Sequence, residues 1–126
     1  MFNIDFQVRS KVLDLFFIAL GAVPGAFIRW HLDNSFIVNL FGAGILGLVV
    51  GLRFKRKYNL LLGVGFCGAL TTFSSLMTES AQLVINGFLI QAFGLMIYTF
   101  FFGLFSGAFG FFIGRQIRKI RHFLLR

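Results

Sequence analysis

Residues 65–75 read GFCGALTTFSS, and the fold turns on what this stretch is doing between apolar runs. Two glycines, two threonines and two serines fall where a helix should be continuous. Glycine weakens a helix interior by about 1 kcal/mol relative to alanine. Ser and Thr side chains compete with the helix for its own backbone groups. The consequence depends on the surrounding solvent. The chain has 126 residues, is 58% hydrophobic, and carries 20 Phe against 4 Asp and Glu. A small soluble domain keeps much of its surface in water, and this chain lacks the polar residues to cover such a surface. It therefore reads as an all-α integral membrane protein, with residues 1–126 forming one domain.

Apolar runs of bilayer length predict four membrane helices, at about 12–32, 36–52, 60–85 and 88–114. Residues 1–11 form a mixed extension that reads as a short interfacial helix, and residues 115–126 form a basic tail. The connections at 31–35, 53–59 and 86–87 are short, which makes successive helices antiparallel neighbours. Gly21/Gly25, Gly47/Gly51, Gly103/Gly107 and Gly110/Gly114 stand at GxxxG spacing, the pattern that lets helix backbones approach in lipid. Trp30, beside Arg29, suits an interfacial anchor at the end of the first span.

The net charge of +8 would suggest nucleic acid in a soluble protein. In a membrane protein it reads as the basic bias of cytoplasmic loops, and no nucleic-acid partner is expected. An even number of spans puts both termini and the second loop on one side. That side holds Arg9 and Lys11, then Arg53, Lys55, Arg56 and Lys57, then Arg115, Arg118, Lys119, Arg121 and Arg126. The other side holds Arg29 alone. Both termini are therefore expected in the cytoplasm. The single cysteine, Cys67, excludes an intrachain disulfide, and His31 and His122 belong to no ligand-spaced cluster.

Setting the apolar background aside leaves a short polar inventory inside the spans. It comprises Asn39 in the second, Thr71, Thr72, Ser74, Ser75, Thr78 and Glu79 in the third, and Gln91, Tyr98, Thr99 and Ser106 in the fourth. A lone Ser or Thr bonds back to its own helix, but a run of them beside Gly63, Gly65 and Gly68 predicts a break in the third span. Irregular backbone at membrane depth occurs only where it is buried in protein or lines a cavity. The carbonyls freed there suit a cation, and the N–H groups of the next half-helix face an anion. Apart from Glu79, the available groups are donors and phenyl rings such as Phe73, whose edges carry positive potential. That set suits a small, hard anion.

Three blocks resemble the Fluc (CrcB) family of fluoride channels: GAVPGAFIRW at 21–30, VNLFGAGILG at 38–47, and GFCGALTTFSS followed by Glu79. The resemblance covers roughly residues 13–114. It implies a passive, fluoride-selective channel in a prokaryotic cell inner (plasma) membrane that lets accumulated fluoride leave the cytoplasm. It also implies an antiparallel dimer with two pores and a structural sodium ion at the broken third helices. Carried over, Gly68 and Thr71 would turn backbone carbonyls onto sodium, and Asn39 would donate its amide to fluoride. Phe73 would line the path, with Ser74, Ser75 and Glu79 as a polar track. Tyr98 and Ser106 would contribute from the fourth span, and Arg29 would sit near the aqueous vestibule.

The chain departs from the family pattern in three places. Ala69 replaces the second glycine of the signature, the loop after Trp30 is short, and Leu76 stands where the second phenylalanine of a pair is expected. Leu76 and the one-sided charge point the same way. An antiparallel homodimer requires one sequence to insert in both orientations, and eleven basic residues against one oppose that. The expectation is a heterodimeric pair in which a paralogous subunit inserts inverted; the alternative partner is a second copy of the chain itself. A small proton-coupled multidrug exporter would need a carboxylate midway along the first span. Asp14 lies at that span's entrance instead. No nucleophile–base pair marks an enzyme.

Overall fold

The computed structural model describes residues 2–32 and 34–124, with side chains from residue 7 onward. Asp33 in the first loop and Arg126 in the basic tail lie outside the described residues. Helix α1 (Phe2–His31) runs without interruption through Pro24. The expected interfacial segment is therefore the first turns of the same helix. Helix α2 (Ser35–Leu52) starts at Asn34, whose side chain accepts from the Ile37 N–H at 3.0 Å. It ends where Arg53 turns left-handed at φ 49°, its N–H closing on the Val50 carbonyl.

The third span is built in pieces. A single turn, α3 (Arg56–Tyr58), leads into a π-helical stretch, Asn59–Cys67, and then the short α4 (Gly68–Leu70). After an interruption at Thr71–Thr72, α5 (Phe73–Ile85) completes the crossing. Gly87, at φ 84°, makes the tight turn into α6 (Leu89–Leu124). Helix α6 carries the basic tail as its own continuation. Four spans are long and apolar enough to cross a bilayer, and no strand occurs among the described residues.

Two close seams hold the bundle. On the first, a Cβ at Gly21 would strike the Leu61 carbonyl, one at Gly25 the Phe66 carbonyl, and one at Gly65 the Ile18 carbonyl. Here α1 lies directly on the π stretch. On the second, a Cβ at Gly47 would strike the Gly107 carbonyl and one at Gly110 the Gly44 carbonyl, so α2 and α6 touch backbone to backbone. In lipid, such packing replaces the hydrophobic drive that holds soluble helices together. The Gly103/Gly107 pair differs from its sequence reading: nothing lies within 4 Å of a Cβ at Gly103. Its small face lines an open groove of about 660 Å³ together with Asn39, Gly47 and Thr99.

Few large side chains are buried within the chain: Val38, Val49, Leu70 and Leu76 are among them. Most phenylalanines point outward, as lipid-facing residues should. One ion pair, Arg56 with Asp14, joins the second loop to α1. Exposed pairs of this kind contribute at most about 1 kcal/mol.

Candidate functional site

The third span breaks at Thr71–Thr72, not at its glycines. Both threonines take extended backbone, with φ −73° and ψ 147° at Thr71 and φ −144° and ψ 124° at Thr72. Gly63 and Gly65 remain within the π stretch and Gly68 opens α4. The expectation that glycines make the break is thereby corrected. β-Branched residues favour extended backbone, and Thr72 also caps α5: its Oγ1 accepts from the Ser75 N–H at 3.2 Å and donates to Ser75 Oγ at 3.1 Å. Gly65 serves close packing against α1.

A break inside a bilayer must find partners for its freed backbone groups. Asn39 of α2 supplies two. Its Nδ2 donates to the Thr72 carbonyl at 2.9 Å, and its Oδ1 accepts from the Thr72 N–H at 2.7 Å. The side-chain amide thus stands in for a strand neighbour, and one N–H of its amide remains beyond these bonds. On the other side of the break, Thr71 bonds back to Cys67 through both its N–H and its Oγ1, at 3.0 Å each. Among the described residues, no backbone N–H reaches the carbonyls of Gly68, Ala69, Leu70 or Thr71. A Cβ at Gly68 would meet nothing within 4 Å. Carbonyl oxygens left without an N–H partner are hard, neutral ligands, the chemistry that a monovalent cation such as sodium takes.

The polar residues of α5 form one face. Ser74, Ser75, Thr78, Glu79 and Gln82 line a groove of about 420 Å³. The i, i+4 spacing puts 74, 78 and 82 in one row and 75 and 79 in another. Thr72 Oγ1 lies 3.2 Å from Ser74 Oγ, which joins this groove to the break. Glu79 also braces α2: Oε2 accepts from the Ser35 hydroxyl at 2.7 Å and Oε1 from the Ser35 N–H at 3.2 Å. A carboxylate at a helix N-terminus is favoured by the helix dipole. Phe73 begins α5 and is 73% exposed, whereas Leu76, one turn on, is 8% exposed. Within the chain these two do not share an outward face.

The remaining expected residues lie elsewhere. Ser106 donates to the Leu40 carbonyl at 2.8 Å and lines a second groove with Phe41 and Gly44, separate from the groove that Asn39 lines. Tyr98 is exposed, with its ring centroid 6.3 Å from that of Phe102. Arg29 is exposed in the last turn of α1 and has no carboxylate partner among the described residues. One chain thus gathers Asn39, Ser74, Ser75 and Glu79 around the break and α5, and leaves Tyr98, Ser106 and Arg29 apart. Thr72, expected as part of the polar run, proves to be the bridge between the break and the groove, and Ser35 and Gln82 belong to the arrangement although they were not expected in it. For Ser35 the available signal was its place just after Asn34 at the start of an apolar run.

The fold and this break define a small multi-pass membrane protein with a discontinuous third span. Comparison with known proteins narrows the class. The family model described as CrcB-like protein, Camphor Resistance (CrcB), matches residues 16–111, and the chain belongs to that family. It is 52% identical over 105 residues to "Fluoride-specific ion channel FluC 2" of Prochlorococcus marinus strain MIT 9313, covering 83% of this chain and 85% of the relative. Strain NATL2A of Prochlorococcus marinus supplies two further relatives. Its "Fluoride-specific ion channel FluC 1" is 47% identical over 72 residues, 57% of this chain and 63% of the relative. Its "Fluoride-specific ion channel FluC 2" is 34% identical over 122 residues, 82% of this chain and 98% of the relative.

Proposed function

We propose that the chain is a subunit of a passive, fluoride-selective channel that lowers cytoplasmic fluoride. The observation that carries this reading is the break itself. At Thr71–Thr72 a helix end with free carbonyls meets the beginning of α5, and the Asn39 amide braces the junction. A helix N-terminus at membrane depth offers N–H groups and partial positive charge to an anion. Fluoride is small and strongly hydrated, so a path must exchange its water for close donors. The Ser74 and Ser75 hydroxyls, the free N–H of Asn39 and the edge of Phe73 are such groups, whereas the Thr78 hydroxyl already donates to the Ser74 carbonyl. Glu79, held by Ser35, ends the polar track, and Tyr98, Ser106 and Arg29 would join the path only through a second subunit.

Gly68 and Thr71 would hold sodium through their carbonyls, together with the same groups of an inverted partner. The bound ion supplies positive charge at depth, lowers the cost of a nearby anion, and pins two broken helices together. The proposed assembly is an antiparallel dimer, with both termini of this chain on the cytoplasmic face of the cell inner membrane. Its partner would be a paralogous subunit of opposite charge bias. Two observations favour that over a homodimer: the one-sided distribution of basic residues, and the occurrence of relatives named FluC 1 and FluC 2 in a single strain.

Two experiments test these readings separately. Phe73→Ile should cut fluoride efflux by about tenfold or more while leaving the melting temperature of the subunit within a few degrees, because the ring lies outside the chain's own core. Unchanged efflux removes Phe73 from the path. Rapid fluoride flux from the purified chain reconstituted alone would overturn the paralogous pairing and leave the channel reading standing.

A further inference from the structure

The end of the bundle opposite Trp30 carries exposed charge that takes no part in the anion path. Three separate elements meet there. A Cβ at Gly51 would lie 3.0 Å from the Arg115 N, so the end of α2 and Arg115 share one level. Arg53, Lys55 and Lys57 of the following loop are exposed at this level. Arg56 ties the loop to Asp14 of α1, and Arg9 and Lys11 lie on the turns of α1 just beyond. Among the described residues, Asp14 is the acid engaged there, with Arg56, and the other basic groups have no carboxylate partner.

The tail of α6 adds a second chemistry. Its 36 residues run about 54 Å at 1.5 Å per residue, against a hydrocarbon core of about 30 Å. The last turns therefore pass into the headgroup layer. Ile117, Ile120 and Leu124 recur at helical spacing and line an apolar groove beside Arg121, and all three are exposed. Arg115, Arg118 and Lys119 project from the opposite side of the same turns. An apolar stripe with flanking cations at the bilayer boundary matches the glycerol and phosphate zone of a lipid.

We propose that this tier, formed by the second loop, the start of α1 and the tail of α6, binds the headgroups of anionic phospholipids in the surrounding leaflet. The adjacent leaflet supplies both the negative charge and the apolar boundary that the surface presents. A second copy's tail would bring the same positive charge against this one. A soluble polyanion would match the cations and leave Ile117, Ile120 and Leu124 in water.

The test uses the full chain in nanodiscs of phosphatidylcholine with or without phosphatidylglycerol. A polarity-sensitive fluorophore on Phe123→Cys reports the tail, because the native Cys67 is buried. The emission should move to the blue in the anionic discs and return in about 0.5 M salt, where screening is strong. Native mass spectrometry after release from mixed lipid should show roughly threefold or greater enrichment of phosphatidylglycerol. The triple variant Arg118→Gln, Lys119→Gln, Arg121→Gln should abolish that enrichment. A charge-preserving set, Arg118→Lys with Arg121→Lys, should keep it and so controls for misfolding. Equal retention of the two lipids, or enrichment unchanged in the triple variant, overturns the proposal. So does displacement of the lipid by inorganic phosphate, which would mark a free-anion site. A blue shift that tracks protein concentration instead of lipid charge would assign the tail to a second copy and overturn it as well.

Discussion

Replacing Asn39 by alanine should abolish fluoride efflux and also destabilise the subunit, the largest effect expected of any single side chain here. The amide makes both hydrogen bonds to the Thr72 backbone, at 2.9 and 2.7 Å. Removing it leaves a carbonyl and an N–H unpaired at a depth where lipid offers nothing in exchange. Each unpaired buried group costs about 1–3 kcal/mol, so a loss of roughly 2 kcal/mol or more is expected. Asn39→Asp should fare no better. A carboxylate keeps the acceptor for the Thr72 N–H but sets a second oxygen against the Thr72 carbonyl, and it puts negative charge beside an anion path. Efflux should vanish, with a stability loss at least as large, because a charge at membrane depth without a paired donor is costly. A fluoride electrode and a thermal melt in detergent read the two quantities independently. Normal efflux through Asn39→Ala would exclude the amide from the path.

The second large effect concerns packing and comes as a contrasted pair. Gly47→Ala places a methyl group against the Gly107 carbonyl on the α2–α6 seam, whereas Gly103→Ala places one in open space. Backbone on both sides leaves no flexible side chain to yield, so α2 and α6 must separate along the seam. Overpacking of this kind costs about 1–3 kcal/mol, and more where backbone is the obstacle. Gly47→Ala should therefore lose most of its folded protein on extraction. Gly103→Ala should match the unsubstituted chain within about 0.5 kcal/mol, as substitutions away from packed features do. Size-exclusion profiles of the two variants decide the matter. Equal recovery of both would show that the seam has room for a methyl group.

The spans were legible in the sequence because bilayer thickness imposes a length on apolar runs, and each of the four spans contains its expected apolar run. The ends were less so: apolar character stops near Gly114 while α6 continues to Leu124, since helix propensity does not depend on lipid contact. The existence of a break was legible from the polar run at 71–75. Its place lies within the stretch 65–75, but its cause was misjudged: glycine content weakened the helix at 63–68, whereas the interruption fell at Thr71–Thr72, where Asn39 could satisfy the exposed backbone. That pairing joins residues 33 positions apart, and the Glu79–Ser35 brace joins residues 44 apart. No local pattern records either. The π winding of Asn59–Cys67 was equally invisible, because an apolar run reads alike at either helical period.

Leu76 shows how the fold changes the meaning of a substitution. In the sequence it is a missing ring beside Phe73. In the structure it is a core residue of its own subunit, on the inward face that also carries Thr72 and Ser80. Leucine fills that position without demanding the aromatic geometry that an outward ring would bring. What remains of the anion-facing aromatic surface at the start of α5 is Phe73.

The proposal that this chain contributes to a fluoride-selective pore is tested most directly by efflux from liposomes. Vesicles loaded with fluoride and chloride would carry the chain together with a paralogous partner, with the two anions monitored in parallel. Rapid release of fluoride with chloride retained is the expected result. Co-release of chloride at a similar rate, or no release of either ion from vesicles containing the folded pair, would contradict it.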